Sequence, residues 1–559
     1  MDFRMAWTAE DTAWVEKTLA SLTTREKLGQ ILIPRITPDS VAPYGYAGFV
    51  EKFKPGGCHL FGGNLEEMHA IIGEMQAASK VPMLTTADLE RGVGQRIVGS
   101  TEFSGQLALG ACDDDALAYR IGEAIAREGA ATGVNWSFGP VVDLSIHPDN
   151  LSYIRCIGSE PEKVGRLTGQ IIRAMQANGM AATAKHLPGC GTDDLDSHLT
   201  TAINPMSREE WFRKSGRTFQ MAIDAGVWAI MTGGEACPGI DPEAGDPLFP
   251  RPVMFSKSVC TGILRDQFGF DGVVVTDAVN MGGISMHERR LPKLLACLNA
   301  GNDMLLFVNR LDSICDYFER CLDDGSLTSQ RLDEAVRRVL TLKARLKLHK
   351  RPALMPLAEA QQVFASTPYG ADAERLAEKS ITLIRDRHNL VPLTLKPGAR
   401  ILSVLITNRP DFELDAFDNT LRAAGYVVTS LKNPPHERHY ERVEAGEWDA
   451  IIVSLYYPPQ WGWSTPRCHG PEPRCLMDGF PFANPDVPAV FISFASPYHL
   501  REFAFMDPCI FTYGGSVGTQ KATARALLGQ SPITGRSPVA HPPYFAIGDG
   551  IQRPARTTA

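Results

Sequence analysis

The 559-residue chain is short of several features that would assign it a class outright. None of its twelve cysteines forms a CxxC pair, and they are scattered along the chain. Several lie inside apolar runs (Cys58, Cys260 and Cys297) and read as buried thiols. A reduced, cytoplasmic protein is therefore expected rather than a disulfide scaffold. Cys468 and Cys475 flank a Pro-rich loop, where a pair or a metal site is conceivable, but two unrelated thiols fit the expected compartment better. The N-terminus, MDFRMAW, lacks the apolar stretch of a secretory signal. No apolar run approaches the ~20 residues that span a bilayer. Positive charge is not in surplus either: the formal net charge is −8, which argues against nucleic acid or anionic membrane as a main partner and says nothing of a neutral substrate. Internal repeats and low-complexity tracts are missing as well.

What is present is the composition of a globular protein, 44% hydrophobic and 21% charged, on a chain long enough for two to three domains. Short apolar runs at 30–34, 58–61, 81–85, 134–138, 181–184, 227–231, 272–275 and 303–308 alternate with helical patterns such as the Ala-rich 115–133. The runs are continuous rather than alternating, as parallel strands covered on both faces require. Eight such units predict a (β/α)8 TIM-type barrel over 1–348, closed by a helix carrying Leu332, Val336, Val339, Leu340 and Leu346. Residues 349–372 read as a Pro-containing linker. A second α/β pattern over 373–536, with strand-like runs at 381–384, 401–406, 426–430, 450–455, 489–493 and 509–513, predicts a smaller α/β sandwich domain. Residues 537–559 read as an extended tail, and 456–481, rich in Pro, Gly, Trp and Arg, as a long loop of the functional kind.

In a parallel barrel the chemistry gathers at the C-terminal strand ends, so polar residues directly after each apolar run are the candidates. Asp88 follows one strand, with Glu90, Arg91 and Arg96 behind it; a sugar-holding carboxylate or a loop ion pair both fit. Arg155 alone is weak. The run KHLPGCGTDDLDSH (185–198) is the richest: Lys185 and His186 at a strand tip, Gly189 and Gly191 for bending, then Asp196 and His198 two residues apart. A carboxylate beside an imidazole fixes its tautomer and suits a general acid/base, whereas a capping Asp with a surface His is the plainer alternative. His186, Asp193, Asp194, Asp196 and His198 are also potential metal ligands, but their spacing is irregular and Lys185 opposes a cation, so no metal is expected there. Asp277 follows the buried run VVVT. It reads equally as a nucleophile and as a helix N-cap.

These motifs, in this order, resemble glycoside hydrolase family 3 in its β-N-acetylglucosaminidase branch. KHLPGCGTDDLDSH is similar to the family's KHFPGHG-x4-DSH, DLERGVGQR to DQEGGRVQR, NWSFGPVVDL to N-x-x-F-A-P-V-x-D, RCIGSEPEKV to RSFGEDPELV, and GFDGVVVTDAVNMGGI to the nucleophile segment GF-x-G-V-x-x-S-D-D-L-x-M. ITLIRDRHNLVPL resembles the opening of the family's second domain.

The resemblance implies an exo-acting, retaining enzyme that removes terminal β-linked N-acetylhexosamine by double displacement. Asp277 would be the nucleophile, His198 the acid/base with Asp196 as its partner, and Asp88, Arg96, Arg155, Lys185 and His186 the sugar ligands, without metal or organic cofactor. The substrate would be a small carbohydrate or glycoconjugate. The second domain would either shape the outer site or mediate a homodimer. The chain departs from the family's pattern at Leu187, Cys190, Gly233, Gly234 and Ala278, all near the implied sugar pocket, so the substrate is where it differs from relatives. Three rival readings follow: a phosphorylase, since a neutral imidazole base does not repel phosphate; a β-glucosidase or β-xylosidase drawing Glu472 from the second domain; and a non-catalytic sugar-binding protein on the same fold.

Overall fold

The apolar runs become strands because each is covered on both faces, and their parallel pairing carries every strand end to one rim. A computed structural model describes residues 7–350, 354–435, 439–463 and 465–556. Residues 1–6, residues 351–353 of the expected linker, residues 436–438, Ser464 and residues 557–559 of the expected tail lie outside them. Among the described residues, eight strands form the first assembly: β1 (Leu32–Pro34), β2 (Gly57–His59), β3 (Leu84–Ala87), β4 (Trp136–Ser137), β5 (Thr183–Leu187), β6 (Ala229–Thr232), β7 (Val273–Ala278) and β8 (Met304–Val308). One sheet runs β1-β8-β7-β6-β5 and a second β2-β3-β4, with every pair parallel. Bridges Arg35 to His59, Trp136 to Ala181 and Val141 to Lys185 join the two edges, so the sheets close into the expected TIM-type barrel.

Ile33, Leu84, Trp136, Ala181, Met231, Val275 and Leu306 share one core cluster. The helix Ser329–Arg345 lays Leu332, Val336, Val339 and Leu340 inward, and the Thr328 side chain caps its first turn by accepting from the Arg331 N–H. At the N-terminal end of β8 the wholly buried Asp303 accepts from Arg265 at 2.7 Å, Arg331 at 2.9 Å and Arg338 at 3.3 Å. It also accepts from the Val274 N–H at 3.0 Å, clamping β7 to β8 away from the rim.

The chain divides into two compact units with a discontinuous boundary. The first comprises 1–101, 118–144 and 161–369; the second comprises 102–117, 145–160 and 370–559. Two segments expected inside the barrel domain therefore belong to the second unit. The second unit is built on a six-stranded sheet, ordered β11-β10-β12-β13-β14-β9. Its strands are β9 (Thr382–Arg385), β10 (Arg400–Thr407), β11 (Val427–Lys432), β12 (Ala450–Tyr456), β13 (Ala489–Ser493) and β14 (Cys509–Phe511). The pairs are parallel except for β9 against β14, and Ile401, Ile452, Val490, Ile492 and Ile510 lie in its core.

Two irregular-looking stretches are more ordered than their prolines suggest. Within 349–372, Pro356 begins the helix Leu357–Ser366, which packs Ala360 and Val363 against Leu65 and Ala131 of the first unit. Proline is tolerated at a helix start because no hydrogen bond is lost there. The expected tail is bridged to the second unit, Leu383 to Ile551 and Ile533 to Arg553, and buries Val539. No described helix is long and apolar enough to cross a membrane.

Removing Asp303 strands buried guanidinium groups, so Asp303→Ala is expected to cost about 3–5 kcal/mol. Removing Asp271, whose side chain is 93% exposed where it meets Arg338, is expected to cost about 1 kcal/mol or less. Urea denaturation of the two variants against wild type measures both; equal losses would show that the Asp303 clamp is not structural.

Candidate active site

The C-terminal ends of β2 to β7 carry a ring of titratable groups. Asp88 follows β3. It receives Lys185 Nζ at 2.9 Å and Arg96 Nη2 at 3.3 Å. Glu90 takes a second Lys185 contact at 2.8 Å. Lys185 is almost wholly buried, and an ammonium out of water is tolerated because two carboxylates meet it. Burial alone would raise the Asp88 pKa, but Lys185, His59 and Arg96 outweigh it and hold the carboxyl well below its ordinary range. His59, at the end of β2, is pushed down to about 4 by burial, so it stays neutral.

Lys185 and His186 are consecutive, yet both reach carboxylates of the ring. The β5 register shifts between Ala184 and Leu187, and such an irregularity re-aims side chains that would otherwise alternate. Asp143, beyond β4, accepts from the His186 N–H at 3.0 Å and contacts Nδ1 at 2.7 Å. This assigns Nδ1 a proton and leaves Nε2 facing Asp277 Oδ2 at 4.0 Å. Asp277, the penultimate residue of β7, accepts from the Ala278 N–H at 2.6 Å, and its side chain is 23% exposed at the rim.

Asp196 and His198 meet as their spacing suggests. Asp196 Oδ1 contacts His198 Nδ1 at 2.9 Å and accepts from the His198 N–H at 3.0 Å. The carboxylate is buried and the imidazole side chain 39% exposed. The loop bearing them is bonded to the segment following Asp277: Gly282 N–H donates to the His198 carbonyl at 2.9 Å and Gly283 N–H to the Ser197 carbonyl at 3.3 Å. A Cβ at Gly283 would lie 2.3 Å from the Thr200 carbonyl oxygen, so this approach needs glycine.

Asp88, Arg96 and Lys185 are thus linked by direct contacts, His186 lies 4.0 Å from Asp277, and Asp196 pairs with His198 in the same unit. Arg155 belongs to the second unit, where its guanidinium lies 5.3 Å from the Trp461 ring centre. Glu472 is in that unit too and accepts from the Tyr457 hydroxyl at 3.2 Å.

Sequence reasoning missed two carboxylates. Asp143, within NWSFGPVVDL, anchors both His186 and the Cys190 N–H, the latter at 3.0 Å. Glu235 lies just beyond β6, and the strand-end rule that selected Asp277 would have found it. The Cys190 thiol donates to Glu235 Oε1 at 2.6 Å. Burial, with Asp143 and Asp277 nearby, pushes the Glu235 carboxyl up to about 8, the Cys190 bond opposing only in part. Glu235 is therefore a neutral acid at pH 7. It folds back over Gly233, where a Cβ would lie 2.0 Å from its Oε2.

The profile of the glycosyl hydrolase family 3 N terminal domain matches residues 23–342. A β-N-acetylglucosaminidase/β-glucosidase of Cellulomonas fimi is 32% identical over 94% of this chain and 95% of its own length. Among solved structures, a β-glucoside phosphorylase (BglX) bound to 2FGlc superposes with a TM-score of 0.86 at 30% identity, covering 96% of this chain and 97% of that one. A family 3 β-N-acetylglucosaminidase from Paenibacillus sp. str. FPU-7 superposes with a TM-score of 0.82 at 26% identity, covering 93% and 99%.

The raised Glu235 pKa has a definite sign. The folded state keeps a proton that the unfolded carboxyl releases near 4.5, so this group's contribution to stability declines as pH rises from 4.5 to about 8 and is level above that. Glu235→Gln keeps the shape and removes the titration. Thermal melts across this range should show wild type losing ground to the variant as pH rises; a constant difference would mean the proton is not on Glu235.

Proposed function

The chain belongs to glycosyl hydrolase family 3, and from that premise we propose that it is an exo-acting, retaining β-N-acetylglucosaminidase. The observation that carries the proposal is the Asp196–His198 pair, a buried carboxylate on Nδ1 of a half-exposed imidazole, on a loop bonded to the segment after Asp277. The relatives named for β-N-acetylglucosaminidase activity add support.

In the proposed reaction the Asp277 carboxylate attacks the anomeric carbon while His198, protonated on Nε2, gives that proton to the departing glycosidic oxygen. The bond to the aglycone breaks and a glycosyl ester on Asp277 forms. Neutral His198 then takes a proton from water, which attacks the same carbon and releases Asp277. Two inversions give net retention. Asp196 holds the ring in the tautomer that exchanges protons through Nε2 and stabilises the imidazolium. Asp88, Arg96, Lys185 and His186 hold the sugar hydroxyls, while Arg155 belongs to the second unit. Buried thiols such as Cys58, Cys260 and Cys297 support a reducing compartment, and we place the enzyme in the cytoplasm, acting alone or as a homodimer on small carbohydrates.

A panel of p-nitrophenyl β-glycosides (GlcNAc, GalNAc, glucose, xylose), with and without phosphate, tests the substrate. Preference for GlcNAc without phosphate dependence is expected; a glucoside preference, or a glycosyl phosphate product, would replace the proposal with a rival. His198→Ala should lower turnover about 10²–10⁴-fold on substrates with poor leaving groups and much less on activated aryl glycosides. A 2-fluoro sugar should leave an adduct on Asp277 detectable by peptide mass spectrometry; an adduct elsewhere would overturn the nucleophile assignment.

A further inference from the structure

The second unit holds another cluster with ligating chemistry. Cys468, His499 and Glu502 each place one ligating atom within 4.8 Å of the other two. Cys468 belongs to the long loop at 456–481. His499 lies in the short helical turn Pro497–Arg501 that follows β13, and Glu502 directly follows that turn. The Cys468 N–H donates to Glu502 Oε2 at 3.2 Å, so the loop already touches the turn here.

The imidazole is what makes the cluster unusual. His499 is 2% exposed. Its Nδ1 lies 3.2 Å from Ser493 Oγ, while that hydroxyl donates its only proton to the Ser496 carbonyl at 2.6 Å. Ser493 must then accept from Nδ1–H, which leaves Nε2 with a bare lone pair. Among the described residues Nε2 makes no hydrogen bond. The Pro466 carbonyl also accepts a hydrogen bond from the ring, and that bond is assigned to Nδ1–H, shared with Ser493, since Nε2 makes none. Burying such a nitrogen without a donor is costly unless a cation meets it. Outer-shell fixation of the other ring nitrogen is also the usual arrangement of a metal-bound histidine.

We propose that Cys468, His499 Nε2 and Glu502 form a zinc site, with solvent as fourth ligand, that fastens the 456–481 loop to the Pro497–Arg501 turn. A thiolate, an imidazole and a carboxylate suit Zn²⁺ better than a hard cation. Ligand separations of up to 4.8 Å need only a small contraction to reach metal–ligand bonds of about 2.0–2.3 Å. Binding forms the sulfur–zinc bond and releases the proton shared by the Cys468–Glu502 pair. Without the metal, burial and then Glu502 keep the thiol protonated, its pKa well above the usual thiol range. The neighbouring cations do not bar the ion, since Arg467 and Arg501 both pair with Asp149. The site lies within the second unit and does not rest on the catalytic assignment.

Full-length protein, stripped with chelator under reducing conditions and titrated with Co²⁺, should take up one equivalent with a thiolate-to-cobalt charge-transfer band. Zn²⁺ should abolish the band and raise the melting temperature. Cys468→Ser and the near-isosteric Glu502→Gln should lose the band, Ser493→Ala should weaken uptake about 10–100-fold, and Cys190→Ser should retain it. Absence of the band in wild type overturns the proposal, and so does its survival in Cys468→Ser. Its loss in Cys190→Ser would move the metal to the group Asp143, His186 and Cys190, which also lies within 4.8 Å, and would equally overturn it. If Cys468→Ser fails to fold, Glu502→Gln and Ser493→Ala carry the test.

Discussion

A single ammonium group, taken out of water between two carboxylates, organises the rim of the barrel. Lys185 reaches Asp88 and Glu90 at 2.9 and 2.8 Å, and so ties the end of β5 to the segment after β3. A buried charge of this kind is stable only while both partners stay ionised. Arg96, on the other oxygen of Asp88, brings the group of four to zero net charge. A cradle that is polar yet neutral suits a neutral ring of hydroxyls, whereas a lysine without the second carboxylate would favour anions.

Beside this balanced group sits an unbalanced one. Asp143, Glu235 and Asp277 crowd the far side of His186, and among the described residues Cys190 is the proton-donating side chain that meets Glu235 directly. Three carboxylates so placed cannot all ionise cheaply, and burial together with the neighbouring carboxylates favours the neutral form of Glu235. Asp143 fixes the tautomer of His186, and Asp277 stands at the open rim. The departures from the family's motif at Cys190 and Gly233 now have a shared physical meaning. A small thiol and a missing side chain make room for a neutral acid.

The barrel was legible because its strands are buried on both faces, and a continuous apolar run has no competing interpretation once helices flank it. Asp277 and the Lys185–His186 pair were legible for a related reason, since a charged residue directly after such a run must lie at a strand end. Asp143 and Glu235 obey the same rule but stand behind glycine and proline, in Gly139-Pro140 and Gly233-Gly234, where a strand's end is hard to place by pattern. Arg155 was picked from a motif rather than from a strand end, and its segment belongs to the other unit. The helix within 349–372 and the bridges of the tail are not legible in the sequence, because proline density speaks about helix interiors and says little about starts, edges or bridged extended chain.

The segments 102–117 and 145–160 leave the barrel's sequence to join the second unit, whose last strand partner sits near residue 551. During synthesis these pieces emerge from the ribosome some hundreds of residues before the sheet that receives them. The barrel core lies within the first unit, but two of the connections between its strands pack only with residues made after 370. No single cut separates this protein into independent halves. A truncation that spares every rim carboxylate still removes the surface on which two barrel loops are meant to settle.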